Sequence, residues 1–304
     1  MGDNQIYPYI AIVIGVISLS TAAVFVKLAG GDVPPSIIAN YRLLLAAFLM
    51  LPPYVVVKKR QEIKMLKKKE WILTILAGIS LAIHFIVWFE SLQYTSVASS
   101  VVLVTLQPIF AFIGTYFFFH ERFSSGTIIS MFIAIFGSII IAWGGDVQIA
   151  GKALYGDLLA ILGAIFITAY FLFGQRVRKK VSMMTYTCIA YSIGAIMLIM
   201  YNMILKNSFF HYTSFEWSIF VFIAIIPTIF GLNLLNWSLK WVSSSVISMG
   251  IVFEPVGAAI LAYFLLEETI TWSQWLGGTI IIFGLLLFIA STRRKRKMKM
   301  TITP

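Results

Sequence analysis

A helix that crosses the ~30 Å hydrocarbon layer of a bilayer takes about 20 apolar residues, and this chain divides into runs of that length with little left over. Ten runs can be marked: approximately Tyr7 to Val26, Ser36 to Val57, Trp71 to Phe89, Val97 to Phe119 and Gly126 to Trp143, then Leu154 to Phe173, Tyr186 to Leu205, Trp217 to Leu239, Ser245 to Leu266 and Trp272 to Ala290. They are continuous rather than alternating, which specifies helices and excludes a membrane β-barrel. The loops between them are short, so any function has to lie inside the helical bundle. Composition supports the same class: 60% of the 304 residues are hydrophobic and 12% charged, against about 25% charged in a soluble domain. With a mean hydropathy of +0.93, a soluble enzyme, a secreted domain and a disordered chain are excluded. The expected fold is all-α, a polytopic membrane protein of ten transmembrane helices.

The formal charge of +11 could indicate a nucleic-acid partner, but the positions of the basic residues give a topological cause instead. Lys58, Lys59, Arg60, Lys64, Lys67, Lys68 and Lys69 follow span 2, and Arg122 follows span 4. Arg176, Arg178, Lys179 and Lys180 follow span 6, Lys240 follows span 8, and Arg293, Arg294, Lys295, Arg296, Lys297 and Lys299 close the chain. All fall on one side if both termini are cytoplasmic. The opposite loops hold Lys152 and Lys206 beside Asp32, Glu90, Asp146, Asp157, Glu216, Glu267 and Glu268. The expectation is a multi-pass protein of a bacterial plasma membrane with both termini inside and no nucleic-acid partner. Its basic tail, 291–304, would serve topology and touch anionic lipid. Met1 to Ile6 lacks the basic start of a signal peptide and span 1 is too long for its apolar core, so span 1 is expected to stay in the mature protein. Cys188 stands alone, which excludes an intramolecular disulfide, a zinc ribbon and an iron–sulfur site.

The chain repeats itself. Ser91 to Ala98 reads SLQYTSVA and Ser238 to Ser245 reads SLKWVSSS, an offset of 147 residues that also carries Pro108 to Pro255, Tyr116 to Tyr263, Glu121 to Glu268 and Gly137 to Gly284. Gly15 of span 1 aligns with Gly163 of span 6 at nearly the same offset. The units are 7–143 and 154–290. Each holds five spans, an odd number, so the second must cross with the opposite orientation and the repeats are inverted. That arrangement characterises secondary transporters, where two related halves open in turn around a site at the midplane.

These residues resemble a known family. Pro108 followed by an apolar run to His120-Glu121-Arg122 and then Gly137 is similar to the EamA-type repeat of the drug/metabolite transporter superfamily. The second copy carries Asn236-Trp237-Ser238-Leu239, Glu254-Pro255, Leu266-Glu267-Glu268, Gly277-Gly278 and Gly284, and Asn40-Tyr41-Arg42 matches that family's usual arginine in span 2. The resemblance runs from about residue 10 to 290. It implies a ten-helix carrier with helices 5 and 10 peripheral and the others around a central cavity. Members export amino acids, other metabolites or drugs, and relatives carry nucleotide sugars or sugar phosphates.

Polar groups at membrane depth mark the candidate site, because an ionisable side chain there is costly and generally lines a cavity. Glu254 leads, near the middle of span 9, where Pro255 removes the hydrogen bond to the carbonyl of Ile251. No equally deep basic residue is apparent on the facing spans, so its carboxyl should ionise only when a cavity admits water, which makes Glu254 the candidate for proton coupling. The competing reading is a permanently protonated group that satisfies the opened backbone. Gln107 is its repeat partner, polar but uncharged. Pro108 and Pro255 are candidate hinges. His84, Trp88 and Ser91 share one face of span 3, and Asn233, Asn236, Trp237 and Lys240 one face of span 8. Both faces combine hydrogen-bonding groups with an indole, as a cavity for an amphipathic solute would. Against this stand a structural histidine at His84, interhelical hydrogen bonding by Asn233 and Asn236, and interfacial anchoring by Trp88 and Trp237. Tyr170 joins the candidate cavity set, with Gln175 and Thr21 as weaker additions. Arg42 and Lys27 are read as snorkelling to the surface, Arg42 deep enough to attract an anion at the outer mouth.

Small residues at four-residue steps, Ser130, Ala134, Ser138 and Ala142 on span 5 and Gly156, Ala160, Ala164 and Thr168 on span 6, suit close helix packing. Span 5 leaves a homodimer contact open. Enzyme chemistry finds no support: the chain has three histidines, only His84 lies at depth, and HExxH, GxSxG and P-loop motifs are missing. No catalytic residue, cofactor or metal site is expected. A channel fits inverted halves with matched prolines less well than a rocking carrier. An uncoupled facilitator, a nucleotide-sugar-like carrier and a lipid carrier stay open as alternatives to a proton-coupled exporter, whose partners would be a small-molecule substrate and the lipid bilayer.

Overall fold

A computed structural model describes residues 6–30, 33–56, 60–95, 97–143, 152–267 and 269–302, with side chains described except at 52–56, 60–61, 65, 97–98, 152 and 293–302. Asp32, Lys58, Lys59, Asp146 and Glu268, and the side chains of Arg60, Lys152 and the basic tail, lie outside the described residues. In hydrocarbon a chain must satisfy its own N–H and C=O groups, and the elements described here are helical throughout. In the first half they are α1 (Tyr7–Leu28), α2 (Pro35–Val56), the short α3 (Arg60–Met65), α4 (Lys68–Ser91), α5 (Val97–Val104), α6 (Gln107–Phe119) and α7 (Ser125–Trp143). The second half holds α8 (Lys152–Val177), α9 (Met183–Ile204), α10 (Ser214–Ile223), a π-helical segment (Ala224–Leu232), α11 (Asn233–Ser238), α12 (Ser244–Ile251), α13 (Glu254–Leu266) and α14 (Trp272–Ile302). Among the described residues, nine segments are long and apolar enough to cross a membrane, and Pro35–Leu51 adds a shorter apolar stretch. Span 4 is α5 with α6, span 8 is α10 through α11, and span 9 is α12 with α13.

Hydrogen bonds at the helix ends fix how the spans alternate. At one end, Ser238 Oγ donates to the carbonyl of Pro8 at 3.0 Å, Glu62 accepts from Ser182 and Thr185 at 2.7 Å each, Glu70 pairs with Lys180, and Ser124 meets Ser291 at 2.7 Å. At the other end, Ser36 Oγ donates to Asn202 at 2.7 Å, and Thr95 and Ser99 donate to Asp157 at 2.8 and 2.9 Å. The first set gathers Lys67, Lys68, Lys69, Lys179 and Lys180 and is called the basic end below. Helix α1 begins at the basic end whereas its counterpart α8 finishes there, so equivalent helices of the two halves run in opposite directions.

The repeat is visible in backbone detail. Both span 4 and span 9 break just before their proline. Leu106 and Phe253, 147 residues apart, precede α6 and α13, and each carbonyl accepts from the residue after the proline, Ile109 and Val256, both at 3.0 Å. The same helices end on His120 and Glu267, again 147 apart, each with φ of 55°. The prolines therefore sit in the first turn of a new helix, where a missing N–H leaves no gap, rather than kinking a continuous one.

The halves interlock rather than lying side by side. Helix α4 packs on α8, α2 on α9, α1 on the π segment and on α13, and α7 on α14. In the last pair glycines bring backbones together: a Cβ on Gly137 would lie 2.7 Å from the carbonyl of Gly277 and 2.9 Å from Ile281, and one on Gly284 would lie 2.8 Å from the backbone nitrogen of Ala134. Ala134, in the span 5 stripe, thus packs on α14. The main apolar core takes side chains from both halves, including Leu43, Leu81, Phe85, Phe171, Leu198 and Leu235.

Candidate substrate cavity

At the centre of the bundle lies a cavity of about 50 Å³ whose lining includes Arg42, His84, Trp88, Gln107 and Glu254. Four of these, His84, Trp88, Gln107 and Glu254, come from the expected substrate-cavity set, and the chain brings them together from α4, α6 and α13. Glu254 and Gln107 are each the first residue of the helix that restarts after a break, so the interruption delivers one polar side chain from each half to the same place.

Arg42 departs from expectation. It is 3% exposed and lines this cavity, not the outer mouth. The π segment explains its position. Pro227 lacks an N–H, so the carbonyl of Ile223 loses its α-helical donor. In the π pattern the Thr228 N–H takes over that carbonyl, and the Thr228 hydroxyl donates to it as well at 2.9 Å while accepting from Arg42 Nε at 2.9 Å. The guanidinium carbon stands 4.7 Å from the centre of the Phe85 ring, a cation–π contact. Held at Nε and on one face, Arg42 keeps its terminal nitrogens without a hydrogen-bond partner among the described residues. The reading that no basic residue faces Glu254 is thereby corrected. The two groups interact electrostatically, yet among the described residues no ion pair within 4.0 Å joins them and Glu254 has no hydrogen-bond partner.

The other members complete a set of unused valences. His84 Nδ1 lies 2.9 Å from the carbonyl of Gly163; a carbonyl only accepts, so Nδ1 carries the hydrogen and Nε2 of the neutral ring is left as an acceptor. The ring stacks on Trp88 at 5.7 Å. Trp88 Nε1 and Gln107 Oε1 are buried without a partner among the described residues. Buried polar groups are ordinarily satisfied, so unsatisfied donors and acceptors around one cavity are what a polar ligand would complete.

Tyr170, Asn233 and Asn236 do not line this cavity. They form a buried layer on its basic-end side. Asn236 Nδ2 donates to the Tyr170 hydroxyl at 2.5 Å, Tyr191 donates to Asn233 at 2.7 Å, Tyr186 donates to the Tyr170 carbonyl at 3.2 Å, and Arg178 Nε donates to the Asn236 carbonyl at 2.9 Å. Burial pushes the Arg178 guanidinium down to about 10, which still leaves it charged at neutral pH. Beyond this layer a cleft of about 690 Å³ opens at the basic end beside His120, Glu121, Arg122 and Trp241. Trp237 is half-buried and packs on Trp241 at 4.3 Å, away from the cavity, and Lys240 is exposed. Gln175 accepts from Ser244 at 2.8 and 2.7 Å and donates to Glu121 at 3.4 Å, bridging the halves. Thr21 donates within its own helix, to Ser18 at 2.7 Å. Sequence reading missed Thr228 and Tyr191. A third mid-span proline, Pro227, was the available signal for the first; a tyrosine in an apolar run gives none for the second.

A family model described as the EamA-like transporter family matches residues 6–143 and again residues 154–290. An uncharacterized transporter of Archaeoglobus fulgidus is 24% identical over 272 residues, 88% of this chain and 92% of its own. The uncharacterized transporter YoaV of Bacillus subtilis (strain 168) is 23% identical, with 94% and 99% covered. A solved crystal structure of 14% identity superposes with a TM-score of 0.79 over 95% of this chain and 98% of its own, which shows the shared fold.

Proposed function

The chain belongs to the EamA-like transporter family, and from that premise we propose that it exports amino acids or other small zwitterionic metabolites across the plasma membrane by alternating access, coupled to protons through Glu254. The observation that carries this reading is the central cavity with Arg42 and Glu254 both facing it and, among the described residues, no ion pair within 4.0 Å between them. An arginine fork matches a carboxylate, and a carboxylate suits an ammonium group. A solute carrying both charges satisfies the two at once without leaving a net charge in low dielectric, where an isolated ion is expensive. A cationic solute would meet Arg42 and is disfavoured. Support for two access states comes from the layered arrangement, with the Tyr170–Asn236 layer between the cavity and the basic end. Positive charge at that end supports cytoplasmic termini.

The test uses purified protein in liposomes. Glu254→Gln should slow equilibrium exchange of zwitterions, because an amide replaces the carboxylate that faces the ammonium group, and the exchange that remains should no longer be accelerated by an imposed pH gradient. A wild-type protein that ignores the gradient would make Glu254 a binding residue of an uncoupled facilitator. Arg42→Ala should abolish exchange of zwitterions; full retention would remove the ion-pairing basis of the reading.

A further inference from the structure

Next to the central cavity lies a larger space of about 350 Å³ whose wall is almost wholly apolar. Its place follows from four helices that line both. On α1 the wall passes from Leu19 and Ala22 at the central cavity to Ala23 and Val26, on α5 from Val104 to Val101, and on α13 from Glu254 to Ala258 and Ala262. Trp88 of α4 belongs to both walls. Each step leads away from the basic end, so the two spaces are stacked in line, and polar groups reappear only at the far rim, with Lys27 and Gln274. We propose that this space is the side-chain compartment of the transport site, receiving the bulky apolar group of a zwitterion whose charged head sits between Arg42 and Glu254.

Three observations converge on that occupant. The central cavity alone, at about 50 Å³, holds a charged head group and nothing larger, so a solute of ordinary size must extend past it. The adjoining volume falls at the lower end of the usual range for ligand pockets, roughly 300–1,000 Å³, and is created by Ala258, Ala259 and Ala262 on one face of α13, where any larger side chain would occupy it. Trp88 stands where the two spaces meet, 7% exposed, with its indole nitrogen unpartnered among the described residues. An indole there offers a ring face to an apolar group and an N–H to a head-group oxygen, the two needs of an amphipathic solute at the junction. Selectivity then follows from apolar burial, which favours each added methylene and can give about a tenfold or larger preference between side chains.

This inference rests on the zwitterion reading of Arg42 and Glu254, and the experiment separates the two. Full-length protein in liposomes is assayed by counterflow with glycine, alanine, leucine and phenylalanine. Wild type should carry leucine and phenylalanine about tenfold or more faster than glycine. Ala259→Phe should erase that preference by cutting leucine and phenylalanine to the level of glycine, and the milder Ala262→Leu should reduce phenylalanine more than leucine. Both variants are first shown to match wild type in size-exclusion profile and melting temperature. Equal carriage of all four solutes by wild type, or an equal loss for all four in a well-folded variant, overturns the side-chain compartment and leaves the head-group reading standing. If wild type carries none of the four, the head-group reading fails and takes this one with it. If leucine and phenylalanine transport is unchanged in both variants, the space holds lipid or nothing and the proposal is wrong.

Discussion

Thr228 shows how one hydroxyl can settle the chemistry of a site. It donates to the carbonyl whose α-helical donor Pro227 lacks and holds Arg42 by Nε, so backbone geometry and ligand geometry share an atom. Thr228→Val is isosteric but leaves a buried guanidinium N–H without its acceptor, and should cost about 2 kcal/mol of stability, read as a lowered melting temperature in detergent. It should also weaken solute binding about tenfold, in line with the loss of one charge-assisted hydrogen bond. Thr228→Ser should restore both. Melting and binding left unchanged by Thr228→Val would show that Arg42 is held by Phe85 alone. At this scale the sequence was legible where polarity contradicted its surroundings: His84, Gln107 and Glu254 stand out in apolar runs, and they do converge. Arg42 was misread because it lies only two helical turns from the start of α2 (Pro35–Val56). From there a long side chain can equally snorkel out or point in, and only its partners on other helices decide. Asn233 and Asn236 carry the same signal as Gln107 but each bonds a tyrosine away from the cavity, a difference that depends on which helices become neighbours.

Among the elements, spans 4 and 9 are each two helices joined by a break, and the break ends on the residue that faces the cavity. Pro108→Ala and Pro255→Ala restore an N–H and permit a continuous helix. Each should leave expression and melting temperature near wild type and slow exchange several-fold or more, because Gln107 and Glu254 would rotate out of register. Unimpaired transport in both variants would refute a hinge role. In α7 and α14 the constraint is steric. Gly137→Val would drive a side chain into the backbone of Gly277 and Ile281 and should destabilise by at least about 1–3 kcal/mol, whereas Gly30, which has open space around it and a positive φ of 78°, bears a different constraint, its backbone conformation. The apolar runs and the matched prolines made the spans and their pairing readable. The π segment was not readable, since a proline inside a run announces a disturbance without saying which carbonyl it frees or what fills the place.

For the whole molecule, the alternation of basic loops predicts an orientation that chemistry can test. Cys188 is buried and gives a quiet background. A cysteine at Lys64 should resist an impermeant thiol reagent in intact cells while one at position 146 reacts, and the reverse pattern would place the termini outside. The duplication was legible from the offset of 147 residues, but the interlocking of the halves was not, because repeats of this kind could as well have packed side by side. One contact within that interlocking has a particular symmetry. Exchanging the roles of the two halves turns Gly137 against Ile281 into Gly284 against Ala134, and both contacts exist in the same structure. A carrier built from inverted copies passes from one access state to the other by having each half adopt the shape of its twin. The seam should therefore keep its contacts in both access states, whereas a disulfide between cysteines at Glu121 and Ser245, joined only at the basic end, should arrest exchange. The α7–α14 seam maps onto itself under that exchange, as does the α2–α9 seam, which makes the two together the axle of the machine: lines along which both working positions share the same parts in the same places.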